Sequence, residues 1–333
     1  MLRLARMSNH IMVTVGADAA AALPTSSSSR AEARARRKAV YIACDSEGGT
    51  AMAEYWARNT DDTNPRRQEY RELLTRDCNA CIEGCFAGGA TEVLVSDDGM
   101  GGVLSIPEMW DPRAKWLRGP GFGGAVPLMQ GLDCEFVGVL LIGFHSMQGS
   151  GGVLAHTYSS AVRRHSTANG KPFGELFEYA LAAGTDHGVP ILLVHGDASV
   201  VEEARQLLGE RVETVAVKEG LSETRAIMVA PQKARQMLTE AAAKATKGAL
   251  AALSDGDAPK PPPPFTLKGE VRLRLELGGL SEREAAEYAQ KRHVAWREFE
   301  GGGHGHSWPL RQLSGTSVFE GVVEQVPQGI KLL

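Results

Sequence analysis

The nine-residue run Phe136–Phe144 (FVGVLLIGF) constrains this chain more than any other stretch. It is continuously apolar, as a strand covered on both faces is, and such strands sit inside parallel sheets. Its two glycines and its length make it too short to span a bilayer. Pro190–His195 (PILLVH) reads as a second buried strand. Ala39–Cys44, Glu92–Ser96 and Glu213–Val217 read as shorter ones. Helical spacing falls between them. Across Arg66–Phe86 the residues Tyr70, Leu73, Leu74, Cys78, Cys81, Ile82 and Cys85 share one face, and Gly88-Gly89 stops the helix. Gly174–Ala183 and Glu202–Leu208 are the next helical stretches. Strands alternating with helices through short loops predict an α/β fold, a parallel-rich sheet flanked by helices.

The two ends differ from this middle. Residues 1–37 carry six arginines and a serine run at Ser26–Ser29, with Asp18 and Glu32 as the only acids. They read as a disordered or targeting tail outside the core. Residues 38–230 form the expected α/β domain. From 231 on, the pattern predicts a long helix at Pro231–Leu253, a proline-rich linker at Ser254–Pro264 and an alternating strand within Thr266–Leu277. A capping box at Ser281 and Glu284 opens a further helix, and Val294–Phe299 and Ser317–Val323 read as strands. This end is expected to be a smaller α+β lobe. The charge balance, 36 Lys+Arg against 40 Asp+Glu for a net −4, excludes nucleic-acid binding by bulk electrostatics, and no run is long enough for a membrane span. Five cysteines, an odd number irregularly placed, favour a reducing compartment. The expected location is the cytoplasm, or the mitochondrion if residues 1–37 are a transit peptide.

The sharpest local feature is Cys44-Asp45-Ser46-Glu47-Gly48 at the end of the first strand. In an extended segment, carboxylates at i and i+2 point to the same side. The carboxyl end of a parallel strand is where α/β sheets place their sites. Two anions that close call for a cation between them or a proton on one. His145 follows the FVGVLLIGF strand, Asp97-Asp98 follows EVLVS, and Glu175 opens a helix, so these acids and the imidazole fall at corresponding levels. Carboxylates with an imidazole suit Zn²⁺, Mn²⁺ or Co²⁺. The stripe Cys78, Cys81 and Cys85 reads instead as a buried helix face, Gly301–His306 as a mobile loop, and His187 and His195 as structural.

These residues carry a resemblance. Ala43-Cys44-Asp45-Ser46-Glu47-Gly48 resembles the S-x-D-x-E-G signature of the dizinc D-aminopeptidase (DppA-type) family. The likeness continues through Cys78–Asp97, Leu141–His145, Gly152–Ser160 and Asn169–Glu175. It covers roughly residues 38 to 230. It implies one or two divalent ions, zinc in the family, with Asp45 shared between them, Glu47 on the first, and His145 and Glu175 on the second. His156 matches the family's catalytic histidine. The family's N-D-S-H-G block is Ser96-Asp97-Asp98-Gly99-Met100 in this chain, so a ligand histidine is absent there and Ala43 replaces a serine. Asp98 is the candidate substitute, and an oxygen ligand would admit Mn²⁺ or Mg²⁺.

The function so implied is metal-dependent hydrolysis of small peptides or amides, most simply by an aminopeptidase, with a D-residue preference carried by the resemblance alone. The alternative is an assembly or ligand-binding protein with a degenerate metal site and no peptidase activity. The resemblance also implies a homo-oligomer, a decamer of stacked rings.

Overall fold

The computed structural model describes residues 5–7, 10–12, 27–54, 65–97, 105–119, 128–157, 166–168, 170–267, 271–278, 310–313 and 316–323. A short antiparallel hairpin, β1 (Ala5–Met7) and β2 (His10–Met12), comes first. Helix α1 (Ser27–Arg37) follows. The main sheet is built from β3 (Ala39–Cys44), β4 (Glu92–Ser96), β5 (Lys115–Leu117), β6 (Phe136–Phe144), β9 (Ile191–Asp197), β10 (Glu213–Ser222) and β11 (Arg225–Met228). Its spatial order is β11-β10-β9-β6-β3-β4-β5. Every neighbouring pair is parallel except the β10–β11 hairpin.

Both faces of this sheet are covered, and the strands alternate between them. Val40, Ile42 and Cys44 pack with α2 (Pro65–Ala87) and α5 (Pro231–Ser254). Ala39, Tyr41 and Ala43 pack with α3 (Glu175–Leu181) and α4 (Ala198–Leu208) on the opposite side. That is the period-two geometry of a strand applied to a sheet with two cores. All nine residues of β6 are buried. The cysteine stripe of α2 lies in the first of these cores, and Cys78 Sγ sits 3.1 Å from Cys44 Sγ.

Several expected boundaries move. The segment expected to lie outside the core up to residue 37 is helical from Ser27. Ala33 of α1 is buried, and Arg34 donates to the carbonyls of Cys134 and Gly188 at 2.9 and 2.8 Å. An arginine-rich composition describes the exposed side of such a helix as well as it describes a tail. Helix α5, expected to belong with the C-terminal lobe, puts Ala234, Leu238, Ala242 and Ala249 into the core of the main sheet. Helix α4 begins a turn earlier than its apolar pattern suggested. Asp197 caps it, accepting from Val200 N at 3.1 Å. The stretch expected as one helix at Gly174–Ala183 is α3 followed by a π-helical turn, Ala182–Asp186.

A second sheet, entirely antiparallel, has the order β13-β14-β12-β7-β8. It joins β12 (Val271–Gly278), β13 (Leu310–Leu313) and β14 (Thr316–Val323) to a hairpin from the middle of the chain, β7 (Ser166–Ala168) and β8 (Lys171–Phe173). The smaller sheet therefore draws strands from both sides of residue 230. The helix expected from Ser281, the strand expected at Val294–Phe299 and the Gly301–His306 segment lie outside the described residues. No helix among the described residues is long and apolar enough to cross a membrane.

Candidate metal centre

The strand order reverses at β3. The chain runs from β3 to β4 and β5 on one side, then returns to lay β6 and β9 on the other. Ligands of open α/β sheets bind outside the carboxyl ends of the strands at such a switch point. Asp45 leaves β3 there and His145 leaves β6 beside it. The β7–β8 hairpin ends directly before Glu175, which opens α3.

Close backbone contact makes the corner possible. Gly143 has φ +76°, and a Cβ on it would lie 2.1 Å from Asp45 O. Only glycine fits both the conformation and the contact. After Asp45 the chain folds as a strap over the end of β6. Gly48 N donates to Gly143 O at 2.7 Å, and a Cβ on Gly48 would meet Phe144 O at 1.7 Å. Beyond it, Thr50 N donates to Asp77 Oδ2 at 3.0 Å. At its far side, Lys218 of β10 donates from Nζ to the carbonyls of Glu47, Gly49 and Met52 at 2.5, 3.0 and 2.6 Å.

Five of the six predicted site residues converge. His145 Nε2 lies 3.4 Å from Asp45 Oδ2 and 3.5 Å from Glu175 Oε1. His156 Nε2 lies 3.9 Å from Glu175 Oε1, and the two imidazoles stack at 4.0 Å between centroids. The ligand atoms form two overlapping groups, Asp45, Glu47 and His145, and His145, His156 and Glu175. Within each group the atoms lie inside 4.8 Å of one another. Asp98 lies outside the described residues. Its neighbour Asp97 is turned elsewhere, its Oδ2 accepting from Ser105 N and Oγ at 3.3 and 2.6 Å.

The protonation pattern follows from the partners. His145 Nδ1 donates to Ser146 O at 3.0 Å and His156 Nδ1 to Leu154 O at 2.7 Å, since a carbonyl can only accept. Both rings thus turn Nε2 toward the carboxylates. Ligand histidines are commonly held this way, one ring nitrogen on a carbonyl and the other on the metal. Burial opposes a charge on His145, but Glu175, Asp45 and Glu47 overcome it and hold its pKa well above the ordinary value. Burial, with the charge on His145, lowers that of His156. Burial and repulsion by Glu47 raise Asp45 well above the usual carboxylate range. Burial works against the Glu47 anion too. His145, His156 and the Ser46 hydroxyl, 2.5 Å from Glu47 Oε2, outweigh it and keep Glu47 below its ordinary value.

The residues fit a divalent cation. Asp45 Oδ2 is buried and accepts no hydrogen bond. A buried carboxylate oxygen without a donor is costly unless a cation serves it. The separations of 3.4 and 3.5 Å around His145 Nε2 also match the edge of a tetrahedral zinc shell. Bonds of ~2.05 Å give an edge of roughly 3.3 Å in that geometry.

Several contributors carried no readable signal. Lys218 sits one residue past the expected end of its strand, and nothing local marks it as reaching a loop 170 positions away. Ser46 was visible only as the spacer of D-x-E. His195, expected to be structural, accepts from Gly143 N at 3.1 Å; burial and Lys218 push its pKa down to about 3.

A doubly covered, mostly parallel sheet with acids and imidazoles gathered at its switch point is the framework of a metal-dependent enzyme. Residues 39–297 match the family Peptidase M55, D-aminopeptidase, and the chain belongs to that family of metallo-aminopeptidases. A D-aminopeptidase of Bacillus subtilis (strain 168) is 33% identical over 201 residues, covering 60% of this chain and 71% of that protein. A solved structure, described as the Zn-dependent D-aminopeptidase DppA from Bacillus subtilis, a self-compartmentalizing protease, aligns with a TM-score of 0.67. It is 26% identical, with 87% of this chain and 93% of that chain covered.

Proposed function

We propose that this chain is a zinc-dependent aminopeptidase acting on short peptides or amides with a free amino end, with preference for a D-residue there. The observation that carries this reading is the pair of ligand groups sharing His145. Following the resemblance, Asp45 is the carboxylate common to two ions, Glu47 serves the first, and His145 and Glu175 serve the second; His145 Nε2, 3.4 Å from Asp45 Oδ2 and 3.5 Å from Glu175 Oε1, stands where the two groups meet. Asp98 stands in for the family's absent histidine at the first ion, where an oxygen ligand also admits Mn²⁺ or Mg²⁺. When bound, the divalent ions supply Lewis acidity toward the scissile carbonyl and lower the pKa of the attacking water.

The remaining work belongs to the chain. His156, neutral and with Nδ1 tied to Leu154 O, presents Nε2 to the site. It accepts a proton as water attacks and returns it to the leaving amine. Glu175, 3.9 Å from that nitrogen, stabilises the imidazolium once the proton is taken up. Phe144 and Leu154, close in the chain to the two histidines, are buried.

The closed homo-oligomer, a decamer of stacked rings, belongs to the same reading, with active sites on an internal space that admits only short substrates. Its support is the self-compartmentalizing relative. We place the protein in the cytoplasm, as five cysteines, an odd number irregularly placed along the chain, suit a reducing compartment. Elemental analysis of the purified protein, with hydrolysis of D-Ala and L-Ala amides, tests the activity. One or two zinc ions per chain and faster turnover of the D-amide are expected. Metal-free protein inert toward both amides overturns the reading.

A further inference from the structure

The ammonium of Lys218 is the most conspicuous buried charge outside the ligand cluster. It is 2% exposed and reaches across the top of the sheet. Its strand lies beyond β9 and β6 from β3, yet its three contacts are all on the strap that follows β3. Three carbonyls on one nitrogen use all three N–H bonds of an ammonium, and a neutral amine could serve only two. Local structure delivers the side chain. Strand β10 is irregular against β9 between Ala216 and Lys218, so that Lys218 stands opposite Asp197. Bulges of this kind re-aim a side chain beside a site. Asp197, Glu47, Asp77 and Asp45 are the acids that face the ammonium.

We propose that Lys218 is a positioning residue for Glu47. By gathering the carbonyls of residues 47, 49 and 52 it holds the strap down on β6 and fixes where the Glu47 carboxylate stands. The contact to Glu47 O is one residue's own backbone away from the ligand atom, so little slack separates the clamp from the carboxylate. Thr50 N on Asp77 of α2 also anchors the strap, but among the described residues Lys218 is the side chain that grips three of its peptide groups. Groups that orient a metal ligand typically change affinity by about 10–100-fold when removed.

The inference rests on the metal reading above, and the experiment separates the two. Zn²⁺ affinity is measured by competition with a chromophoric chelator for the full-length wild type, Lys218→Met, Glu47→Gln and the double variant, with visible spectra of the Co²⁺-loaded proteins. Lys218→Met is expected to weaken Zn²⁺ binding by about 10–100-fold. It is also expected to shift the Co²⁺ bands in the direction Glu47→Gln does. In the Glu47→Gln background the same change is expected to cost less than about twofold, because its route of action is gone. Lys218→Gln, which keeps two N–H donors, is expected to fall between, and it carries the test if the methionine variant does not fold. Wild-type affinity in Lys218→Met, or an equal loss with and without Glu47, overturns the positioning role. A wild type that binds no Zn²⁺ overturns the metal reading itself.

Discussion

Replacing Gly48 by alanine should disable the metal centre while leaving the folded core intact. A Cβ at this position would lie 1.7 Å from Phe144 O, 2.3 Å from Phe144 C and 2.7 Å from Gly143 C. Contacts under 3.0 Å do not occur, so something must move by at least 3.0 − 1.7 = 1.3 Å. The obstructing atoms are main chain at the end of β6, a strand buried along its whole length, and they will not yield. The strap must therefore lift, and Glu47, one residue away, goes with it. Metal sites tolerate errors of only about 0.2 Å in ligand distance. A ligand so displaced is expected to weaken binding by ~100-fold, the upper end of the range for lost ligand support. A 100-fold weaker Zn²⁺ affinity corresponds to ~2.7 kcal/mol. Chelator competition measures the affinity, and urea unfolding of the metal-free protein measures the core. Wild-type affinity in the folded variant would refute the reasoning, because it would mean that the strap can move without carrying Glu47. So would a large loss of apo stability, since β6 would then have yielded instead.

Further expectations follow from the same geometry. Asp45→Ala should strip metal more completely than Glu47→Ala on dialysis, because in the proposed centre Asp45 serves both ions; equal partial losses would remove its shared role. His156→Gln should lower turnover by about 10²–10⁴-fold with metal content unchanged; loss of an ion in this variant would make His156 a ligand instead. Burial raises the pKa of Asp77 from 3.8 to about 6 in the fold. The folded protein then holds more protons than the unfolded one between those values. Relative to Asp77→Asn, its stability should fall as pH climbs from about 4 to about 6, by at most ~3 kcal/mol. Urea titrations of both proteins in chelator at pH 4.5 and 7 check the sign, and a pH-independent difference contradicts it. Light scattering should give the mass of a closed ring assembly; a mass of one or two chains, unchanged by dilution or Zn²⁺, would remove the size filter.

Much of this protein could be read along the chain. Continuous apolar runs such as Phe136–Phe144 report a strand buried on both faces, and helical spacing in α2 reports one buried stripe, because each depends on local periodicity. The level of Asp45, Glu47, His145 and Glu175 was legible for the same reason: each sits where a strand ends or a helix begins. Helix boundaries set by a cap, as at Asp197, lay outside the apolar pattern and were misplaced.

What periodicity cannot carry is adjacency between distant segments. Nothing in the sequence states that β6 lies against β3, or that β7 and β8 join strands from beyond residue 270. The order of strands placed the switch point, and with it the meeting of a carboxylate that follows β3 with an imidazole that follows β6. Lys218 shows the limit most clearly. As a residue it is a lysine after a short apolar strand, ordinarily solvated. Only packing makes it a buried ammonium holding three carbonyls, because its role depends on where a loop some 170 residues earlier in the chain comes to rest. Local propensity chose the elements and the chemistry at their ends, and long-range packing, which no single segment encodes, brought those ends within 4.8 Å of one another.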